Sequence, residues 1–338
     1  MAVNGAIKAY IPKPGRREYF TIALLVLEII IFSVASEHFL SFRNLETVLR
    51  NATDLAVVSI GMTMVILLGG IDLSVGSALG VVAIIVGWLL QAGWNPFLIA
   101  VVAIATGTLI GFFNGAVISW MNIPDIIATL GTANIWRAAI FVMLGGRWLT
   151  GLPPVFSVLT RDRVLGIPVS VFILAIFYGA FWYLLTYRPF GRHIYAVGNS
   201  PEAAKLAGIN TKGTRILVYS ILGALVGFAA LLYVGRLASV EITVGQELPI
   251  SAIAAVIIGG TAITGGRGSV IGTLAGVLFM AVMKNGIVLL GIPSLWERAV
   301  VGTLIIISVT VDLIVNRRAE RQKLERLSKQ VQAGYSAN

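Results

Sequence analysis

The feature that most constrains this chain is a succession of long apolar stretches separated by short polar ones. Of its 338 residues, 57% are hydrophobic and 12% charged, whereas soluble domains carry about 45–50% apolar and about 25% charged residues. Ten segments approximate the roughly 17–25 residues that a helix needs to cross a bilayer. They are Tyr19–Ala35, Thr53–Gly70, Ser74–Gln91, Pro96–Ser119, Ile126–Leu144, Pro168–Thr186, Thr214–Val234, Leu248–Thr264, Val270–Leu290 and Arg298–Val315. The sequence predicts an all-α, polytopic membrane protein of about ten transmembrane helices.

Positive charge predicts how these spans are oriented. With the N-terminus inside, 16 of the 25 Lys and Arg fall in inner loops and tails, seven in outer loops, and Arg137 and Lys284 within spans. Inner loops are enriched in Lys and Arg, so both termini are predicted to be cytoplasmic. The net charge of +10 therefore reflects topology, not a nucleic-acid partner. The prediction divides the chain into a basic cytoplasmic tail (1–18), a transmembrane domain (19–315) with an inner loop (187–213), and a second basic cytoplasmic tail (316–338).

Several kinds of chemistry are missing from the sequence. There is no cysteine, which excludes disulfides and thiolate sites, and His38 and His193 fall on opposite sides of the predicted topology, so no metal site is expected. No lysine follows a glycine, so the Gly-Lys of a phosphate-binding loop is missing and any ATP must be bound by another subunit. A membrane-embedded glycan-handling enzyme would need a nucleophile with its base, and no such cluster is visible.

An ion-coupled secondary carrier is the main alternative to a subunit of an ATP-driven system. Such carriers keep ionisable residues inside the bundle as coupling sites. The candidates here are scattered along the chain: Glu28, Asp72, Arg137 and Lys284. An internal ion pair between Lys284 and Glu28 is one hypothesis for two of them.

A glycine-rich break separates the second and third apolar segments, over residues 69–77. It reads Gly-Gly-Ile-Asp-Leu-Ser-Val-Gly-Ser, and at membrane depth such a break survives only where it is buried in protein or lines a watery cavity. An ionised Asp72 near the bilayer centre would cost about 2.5–3.5 kcal/mol on the insertion scale. Capping of the following helix, lining of a pathway and ion coupling are all open roles for Asp72.

A second glycine-rich break, over residues 259–269, separates the eighth and ninth segments. It resembles the first break in three features: a paired glycine, a later Gly-Ser and a following helix rich in small residues. Related breaks in two halves of a chain are typical of transporters with duplicated halves and a central pathway. The predicted helix-break glycines are Gly69, Gly70, Gly76, Gly259, Gly260, Gly265, Gly266 and Gly268.

The inner loop contains a full set of helix start and stop signals. Asn199 or Ser200 can cap a helix, Pro201 suits its first position, Glu202 favours its positive end and Gly208 can stop it. A short surface helix that docks onto a partner is favoured over a solvated connector, which would explain the polarity but not the signals.

Polar residues around the fourth and fifth segments have two readings. Interhelical hydrogen bonding is the default role and contact with a transported solute is the alternative. With the polar residues of the first break, they make up the candidate pathway residues Asp72, Ser74, Ser77, Asn114, Thr129, Thr132 and Asn134.

Four strings of the sequence resemble a known family. They are GGIDLSVGS from Gly69, NIPDIIATLGT from Asn122, FGRHIYAVGNSPEAAKLAGI from Phe190, and IAAVIIGGTAITGGRGSVIGTLAG from Ile253. They resemble the permeases of bacterial ATP-binding-cassette (ABC) carbohydrate importers, a family that includes the ribose, xylose, arabinose and autoinducer-2 systems, and the resemblance covers almost the whole chain. The segments Gly145–Trp148 and Gly151–Pro153 look closest to the autoinducer-2 and rhamnose branch.

The resemblance also implies how the inner loop would be used. Glu202-Ala203-Ala204 followed by Gly208 looks like the core by which ABC permeases contact their ATPase, although the usual downstream Ile-x-Leu-Pro is missing. The docking residues so implied are Asn199, Ser200, Pro201, Glu202, Ala203, Ala204 and Gly208.

By the same resemblance, the chain would be a multi-pass permease of the bacterial cytoplasmic (inner) membrane that imports a monosaccharide-sized polar solute. It would have no cofactor of its own, since ATP and Mg would be bound by the partner ATPase. The implied partners are ABC ATPase subunits, a second permease copy or a paralogue, a periplasmic or extracellular sugar-binding protein, and membrane lipid, with no nucleic acid.

Overall fold

The computed structural model describes residues 16–293, 296–304, 306, 307 and 310, and most of them are helical. The helices run in chain order as follows: α1 Arg16–Ala35, α2 Phe42–Leu67, α3 Val75–Gln91, α4 Pro96–Met121, α5 Asp125–Leu144, α6 Val169–Tyr187, α7 Pro189–Asn199, α8 Pro201–Leu206, α9 Thr211–Leu237, α10 Leu248–Ile258 and α11 Val270–Leu289. Residues 296–304 are also helical, and a short 3-10 helix spans Pro154–Leu159.

Local capping chemistry explains many of the helix ends. Ser41 and Asn95 accept backbone N–H groups at the starts of α2 and α4, which satisfies donors that have no partner within the helix. Gly145, with φ of 57°, closes α5 in the left-handed conformation that glycine adopts without steric cost.

The centre of the fold is α2, most of whose C-terminal half is fully buried, together with the long helix α9. Helix α9 packs on α4 through glycines on both helices. A Cβ atom on Gly107 or Gly111 would collide with the backbone of α9, and one on Gly223 would collide with the backbone of α4. Small residues let membrane helices approach this closely, and such packing is the role that these glycines have.

Six helices of the described part are long and apolar enough to cross a membrane: α2, α4, α5, α6, α9 and α11. Three shorter apolar helices accompany them, within α1 (from Tyr19), and as α3 and α10. The chain is therefore a helical, polytopic membrane protein, as predicted. The two largest differences from the predicted segment boundaries are at the start of α2 and the end of α10. Helix α2 begins at Phe42 instead of Thr53, and α10 ends at Ile258 because the second break begins there.

A small hairpin departs from the all-α architecture that the sequence predicts. Strands β1 (Arg163–Val164) and β2 (Ile167–Pro168) pair antiparallel between α5 and α6. Leu165 and Gly166 form its turn with φ of 53° and 80°, the positive values that a two-residue turn of this hand requires.

Three predicted segments lie wholly or partly outside the described residues. Of the tail predicted over 1–18, only residues 16–18 are described, and they belong to α1. The tail predicted over 316–338 lies outside, as does most of the tenth segment after residue 304.

Candidate functional site

The first break starts with a regular helix ending. Helix α2 stops at Leu67, and Gly69 adopts a φ of 80°. The Gly70 N–H donates to the Val65 carbonyl at 3.0 Å, and the Gly69 N–H to the Ile66 carbonyl at 2.8 Å. These two bonds form the glycine-closed helix end that satisfies the last carbonyls of α2.

Asp72 holds the middle of this break together. Its Oδ1 accepts hydrogen bonds from the Ser74 N–H and the Ser74 hydroxyl, both at 2.7 Å. Asn114 on α4 donates to Ser74 Oγ at 2.8 Å and approaches Asp72 Oδ2 at 3.4 Å. Asp72 is 3% exposed, and no ion pair between described residues includes it. Its carboxylate therefore organises the break just before α3. The N-cap position itself belongs to Ser74, whose side chain makes no capping bond.

Two further helices hold the same break. On α5, Thr129 Oγ1 lies 3.1 Å from the Ile71 carbonyl oxygen. On α9, the Tyr219 hydroxyl donates to Asp125 Oδ1 at 3.1 Å, and both of these groups face Gly70. A Cβ on Gly70 would lie 2.9 Å from Tyr219 Oη, so a larger residue has no room there.

The second break begins in the same way and continues differently. After α10, Gly260 has a φ of 93° and the Thr261 N–H donates to the Val256 carbonyl at 3.2 Å. The loop then folds on itself through an Ala262 N–H to Arg267 carbonyl bond of 2.8 Å. Ser269 caps α11 by accepting the Gly272 N–H at 3.0 Å.

The end of α7 lies between the two breaks. Gly198 packs against the Leu67 carbonyl and the Gly266 N–H, and a Cβ at this position would collide with the Leu67 oxygen. The Gly266 N–H donates to that same Leu67 carbonyl at 2.8 Å. Two side chains of α7 also bond the second break, since Tyr195 Oη donates to the Gly268 carbonyl at 2.9 Å and Asn199 Nδ2 to the Gly266 carbonyl at 3.3 Å. We call this contact of α7 with Leu67 and residues 266–268 the junction.

Helix α8 has the start and stop that the sequence predicts. Ser200 caps it by accepting the Ala203 N–H at 3.2 Å, and Pro201 is its first residue. Gly208, with φ of 82°, follows its end. Ala204 is buried against the fold, whereas Glu202, Ala203 and Leu206 are exposed, Leu206 to 90%. The chain thus presents a short helix whose outer face carries an acid and a large apolar side chain. Asn199, the other predicted cap, ends α7 and bonds the junction.

The candidate pathway residues do not form one group. Asp72, Ser74, Asn114 and Thr129 meet at the first break, as described above. Ser77 lies in the first turn of α3 and donates to the Ser74 carbonyl at 3.0 Å, and Thr132 is buried and donates to the Thr129 carbonyl at 3.2 Å. Asn134 is exposed on α5 and bonds only its own helix, through the Leu130 carbonyl at 2.8 Å.

Gly76 corrects the set of helix-break glycines. It lies inside α3, not in the break, because the helix restarts at Val75. Its missing side chain is explained by packing, since a Cβ there would collide with the Gly245 carbonyl. The loop before α10 therefore crosses α3 with the two backbones in direct contact.

A cavity of about 660 Å³, which was not predicted from the sequence, lies at the other end of these helices. It lies against the N-terminal half of α2 and the C-terminal ends of α9 and α11, whereas the junction contacts the C-terminal end of α2. None of the candidate pathway residues lines it. The available signal was the cluster of charged residues near the span ends that are predicted to lie outside, which contributed only to the predicted topology.

Lys284, at the wall of this cavity, does not pair with Glu28 as hypothesised. Its Nζ lies 2.5 Å from Glu297 Oε1. Glu28 is buried on α1, and one of its carboxyl oxygens has no hydrogen-bond partner among the described residues. The pairing hypothesis was wrong because an acid in the following helical segment reaches Lys284.

Comparison with known proteins identifies the class of this fold. Residues 44–309 match the family model described as branched-chain amino acid transport system, permease component. The ribose import permease protein of Escherichia coli strain K12 is 36% identical over 88% of this chain and 97% of its own length. The autoinducer 2 import system permease protein of Shigella flexneri is 32% identical over 92% of each chain. The ribose import permease protein of Bacillus subtilis is 36% identical over 85% of this chain and 90% of its own length. No solved structure matches.

The chain belongs to this family of membrane transport permeases. Within the family, it is the permease subunit of a sugar-type ABC importer. Such a subunit is not an enzyme, because the ATPase is a separate chain, and the family works with ATPase and binding-protein partners.

Proposed function

We propose that this permease imports a monosaccharide-sized polar solute across the bacterial cytoplasmic membrane, with about ten spans and both termini in the cytoplasm. Relatives named for ribose and for autoinducer 2 cover most of the chain at 36% and 32% identity, and they support one solute class. The charge distribution of the loops supports the orientation. ATP and Mg would be bound by the partner ATPase and no cofactor by this chain.

Helix α8 is the proposed contact for the ATPase. Its exposed face offers Glu202, Ala203 and Leu206, and the resemblance of Glu202-Ala203-Ala204 and Gly208 to the ATPase-contacting core of ABC permeases supports this role. Ala204, on the other face of the helix, is buried against the rest of the fold. Asn199, Ser200 and Gly208 shape the helix and need not contact the partner themselves.

The observation that carries the proposal is the junction. Helices α7 and α8 are consecutive, since α7 ends at Asn199 and α8 begins at Pro201. Gly198 contacts the Leu67 carbonyl and the Gly266 N–H together, so a displacement of the inner loop presses on both breaks at once. Closure of two ATPase subunits on ATP would thereby move the C-terminal end of α2 and the start of α11, and the pathway would open to alternate sides.

The remaining partners follow from the surface of the fold. Helices α4, α5 and α6 expose large apolar side chains, among them Leu109, Ile127 and Ile176. Membrane lipid and a second permease copy or paralogue would cover these faces. A sugar-binding protein would deliver the solute at the outer end, and nucleic acid has no part in the proposal.

Uptake into proteoliposomes tests the proposal. The chain is reconstituted with its ATPase and binding protein, and solute accumulation is measured with and without ATP. Glu202→Lys is expected to lower ATP-dependent uptake by about tenfold, which corresponds to about 1.4 kcal/mol of lost coupling to the ATPase. Glu37→Lys makes the same charge reversal at an exposed site between α1 and α2, at the opposite end of α2 from the junction, and should leave uptake unchanged.

Two results would count against this assignment. Equal uptake by Glu202→Lys and the unsubstituted chain would remove α8 from the ATPase contact. Accumulation by the purified chain alone, on an imposed ion gradient and without ATP, would instead indicate a secondary carrier.

A further inference from the structure

The cavity of about 660 Å³ has the size of a small-molecule site, since ligand pockets in proteins have volumes of about 300–1,000 Å³. We call it the outer chamber, because the proposed topology places it on the outer side. Its walls come from α2, α9, α10, α11 and the helical segment 296–304, and the loop before α10 lies across it. Elements from both ends of the sequence thus converge on one concave surface.

The charges on its wall largely cancel in pairs. Arg236 Nη2 lies 2.7 Å from Asp54 Oδ2, and Arg298 Nε lies 2.6 Å from Glu247 Oε1. Lys284 pairs with Glu297 at 2.5 Å, which leaves Glu241 as the remaining charged residue of the lining. A mouth built for an ion would present one sign of charge, whereas paired charges present polar atoms without a strong net field.

Groups suited to hydroxyls stand beside these pairs. Gln246 lies on the lining with an exposed side chain that makes no hydrogen bond to the described residues. Asn51 receives only a long bond, 3.5 Å, from Arg236 Nη1. Tyr233 offers its hydroxyl and a half-buried ring, over one face of which the Arg236 guanidinium lies 5.8 Å from the ring centre. Carboxamides both donate and accept, and an aromatic ring beside them suits the apolar face of a sugar.

We infer that the outer chamber is a solute-binding site of the permease itself, which takes an uncharged polyhydroxylated molecule of monosaccharide size through Asn51, Gln246 and Tyr233. The inference rests on the proposed function, and it adds a site to a subunit for which recognition would otherwise be left to the binding protein. The site lies at the opposite end of α2 from the junction, so solute entry would be separated in space from ATPase docking.

The absence of cysteine from the chain provides a direct test. A single Gln246→Cys variant, reconstituted with the ATPase but without binding protein, is labelled with a membrane-impermeant methanethiosulfonate. Free pentoses, hexoses and 6-deoxyhexoses, including D-ribose, are added at rising concentration. Labelling of Gln246→Cys should slow at least about fivefold in the presence of the solute that the wild type transports. Leu165→Cys, at the 95% exposed tip of the hairpin, is the matched control and should label at a constant rate.

A second labelled position distinguishes specific binding of the solute from simple blocking of the labelling reagent. With Thr243→Cys as the labelled site, addition of Gln246→Ala should raise the half-protecting solute concentration about three- to tenfold, as expected for one lost hydrogen bond. Ser239→Ala, outside the lining, should leave that concentration unchanged.

Wild-type uptake in the complete system is measured in parallel. If the wild type transports solute on ATP and none of the sugars protects either Gln246→Cys or Thr243→Cys, the chamber inference is overturned while the proposed function stands. Equal slowing at Leu165→Cys, or protection only by added binding protein, also overturns it, the latter in favour of a protein-docking surface. If the wild type transports no sugar, the proposed function itself fails.

Discussion

The two glycine breaks end their first helices alike and differ in almost everything that follows. Gly69 and Gly260 take equivalent positions, with φ of 80° and 93°, and each is followed by an N–H that bonds a carbonyl five residues back. From there, α3 restarts at Val75, whereas α11 restarts only at Val270 after a loop that folds on itself. The helix ending is thus what the two breaks share.

What holds each break in place also differs. The first is bonded by side chains from the core, with Asp72 and Asn114 at its centre. The second is bonded largely through its backbone, to Leu67 and to the α7 side chains Tyr195 and Asn199. The difference teaches that side chains of the helix core fix the first break, whereas the side-chain hydrogen bonds of the inner loop go to the second.

The largest effect should come from breaking the first network. Asp72→Ala leaves the Ser74 N–H and the Ser74 hydroxyl without their acceptor, while the Asn114 amide keeps its bond to Ser74 Oγ. The protein should lose about 3 kcal/mol of stability, because unpaired buried donors cost about 1–3 kcal/mol each. Thermal unfolding in detergent measures the loss. Asp72→Asn keeps one acceptor and should lose less.

The matched control is Asn134→Ala, which removes an exposed carboxamide that bonds only its own helix, and which should change stability by less than about 0.5 kcal/mol. Unchanged stability in Asp72→Ala would show that the cost of burying the carboxylate cancels its hydrogen bonds. The first break would then be a site kept for transport alone.

An intermediate effect is expected at the junction. Gly198→Ala places a methyl group against the Leu67 carbonyl and should cost about 1–3 kcal/mol, as overpacking does. It should also lower the amount of solute transported per ATP hydrolysed in proteoliposomes, because α7 is pushed away from both breaks. Gly179→Ala on α6 adds the same methyl group where nothing lies within 4 Å, so transport per ATP should stay at the wild-type value and stability should not fall.

The ratio of transport to hydrolysis is the decisive readout at this site. A loss of stability with an unchanged ratio would make the junction a packing contact only. It would also remove the distinction between a fixed first break and a connected second one.

Both breaks and α8 could be predicted from the sequence because the signals for them are local. A glycine that ends a helix, a serine that caps one and a proline in its first turn act within a few residues of chain. The junction and the outer chamber could not be predicted from the sequence, because they join residues far apart along the chain, such as Leu67 with Gly266 and Asp54 with Arg236. The Lys284 hypothesis failed for the same reason, since sequence gives charges and not the distances between them.

The smallest effect is expected at the Gly-Ser pair that each break contains. The sequence suggested that these two pairs are equivalent. In the structure Ser269 caps α11 by accepting the Gly272 N–H, whereas Ser77 lies within α3 and donates to the Ser74 carbonyl. Ser269→Ala should therefore cost about 1 kcal/mol, as the loss of an N-cap does. Ser77→Ala should cost less than about 0.5 kcal/mol, because alanine is the better helix former and that carbonyl keeps its Ala78 N–H bond of 2.8 Å.

Thermal unfolding of the two serine variants, measured side by side, decides whether the repeated dipeptide has one role or two. Equal losses would mean that the two Gly-Ser pairs are equivalent and that the similarity between the breaks extends past their glycines. Unequal losses, with Ser269 the larger, would confine the similarity to the helix endings. The function of each break would then follow from what bonds it afterwards, the core for the first and the inner loop for the second.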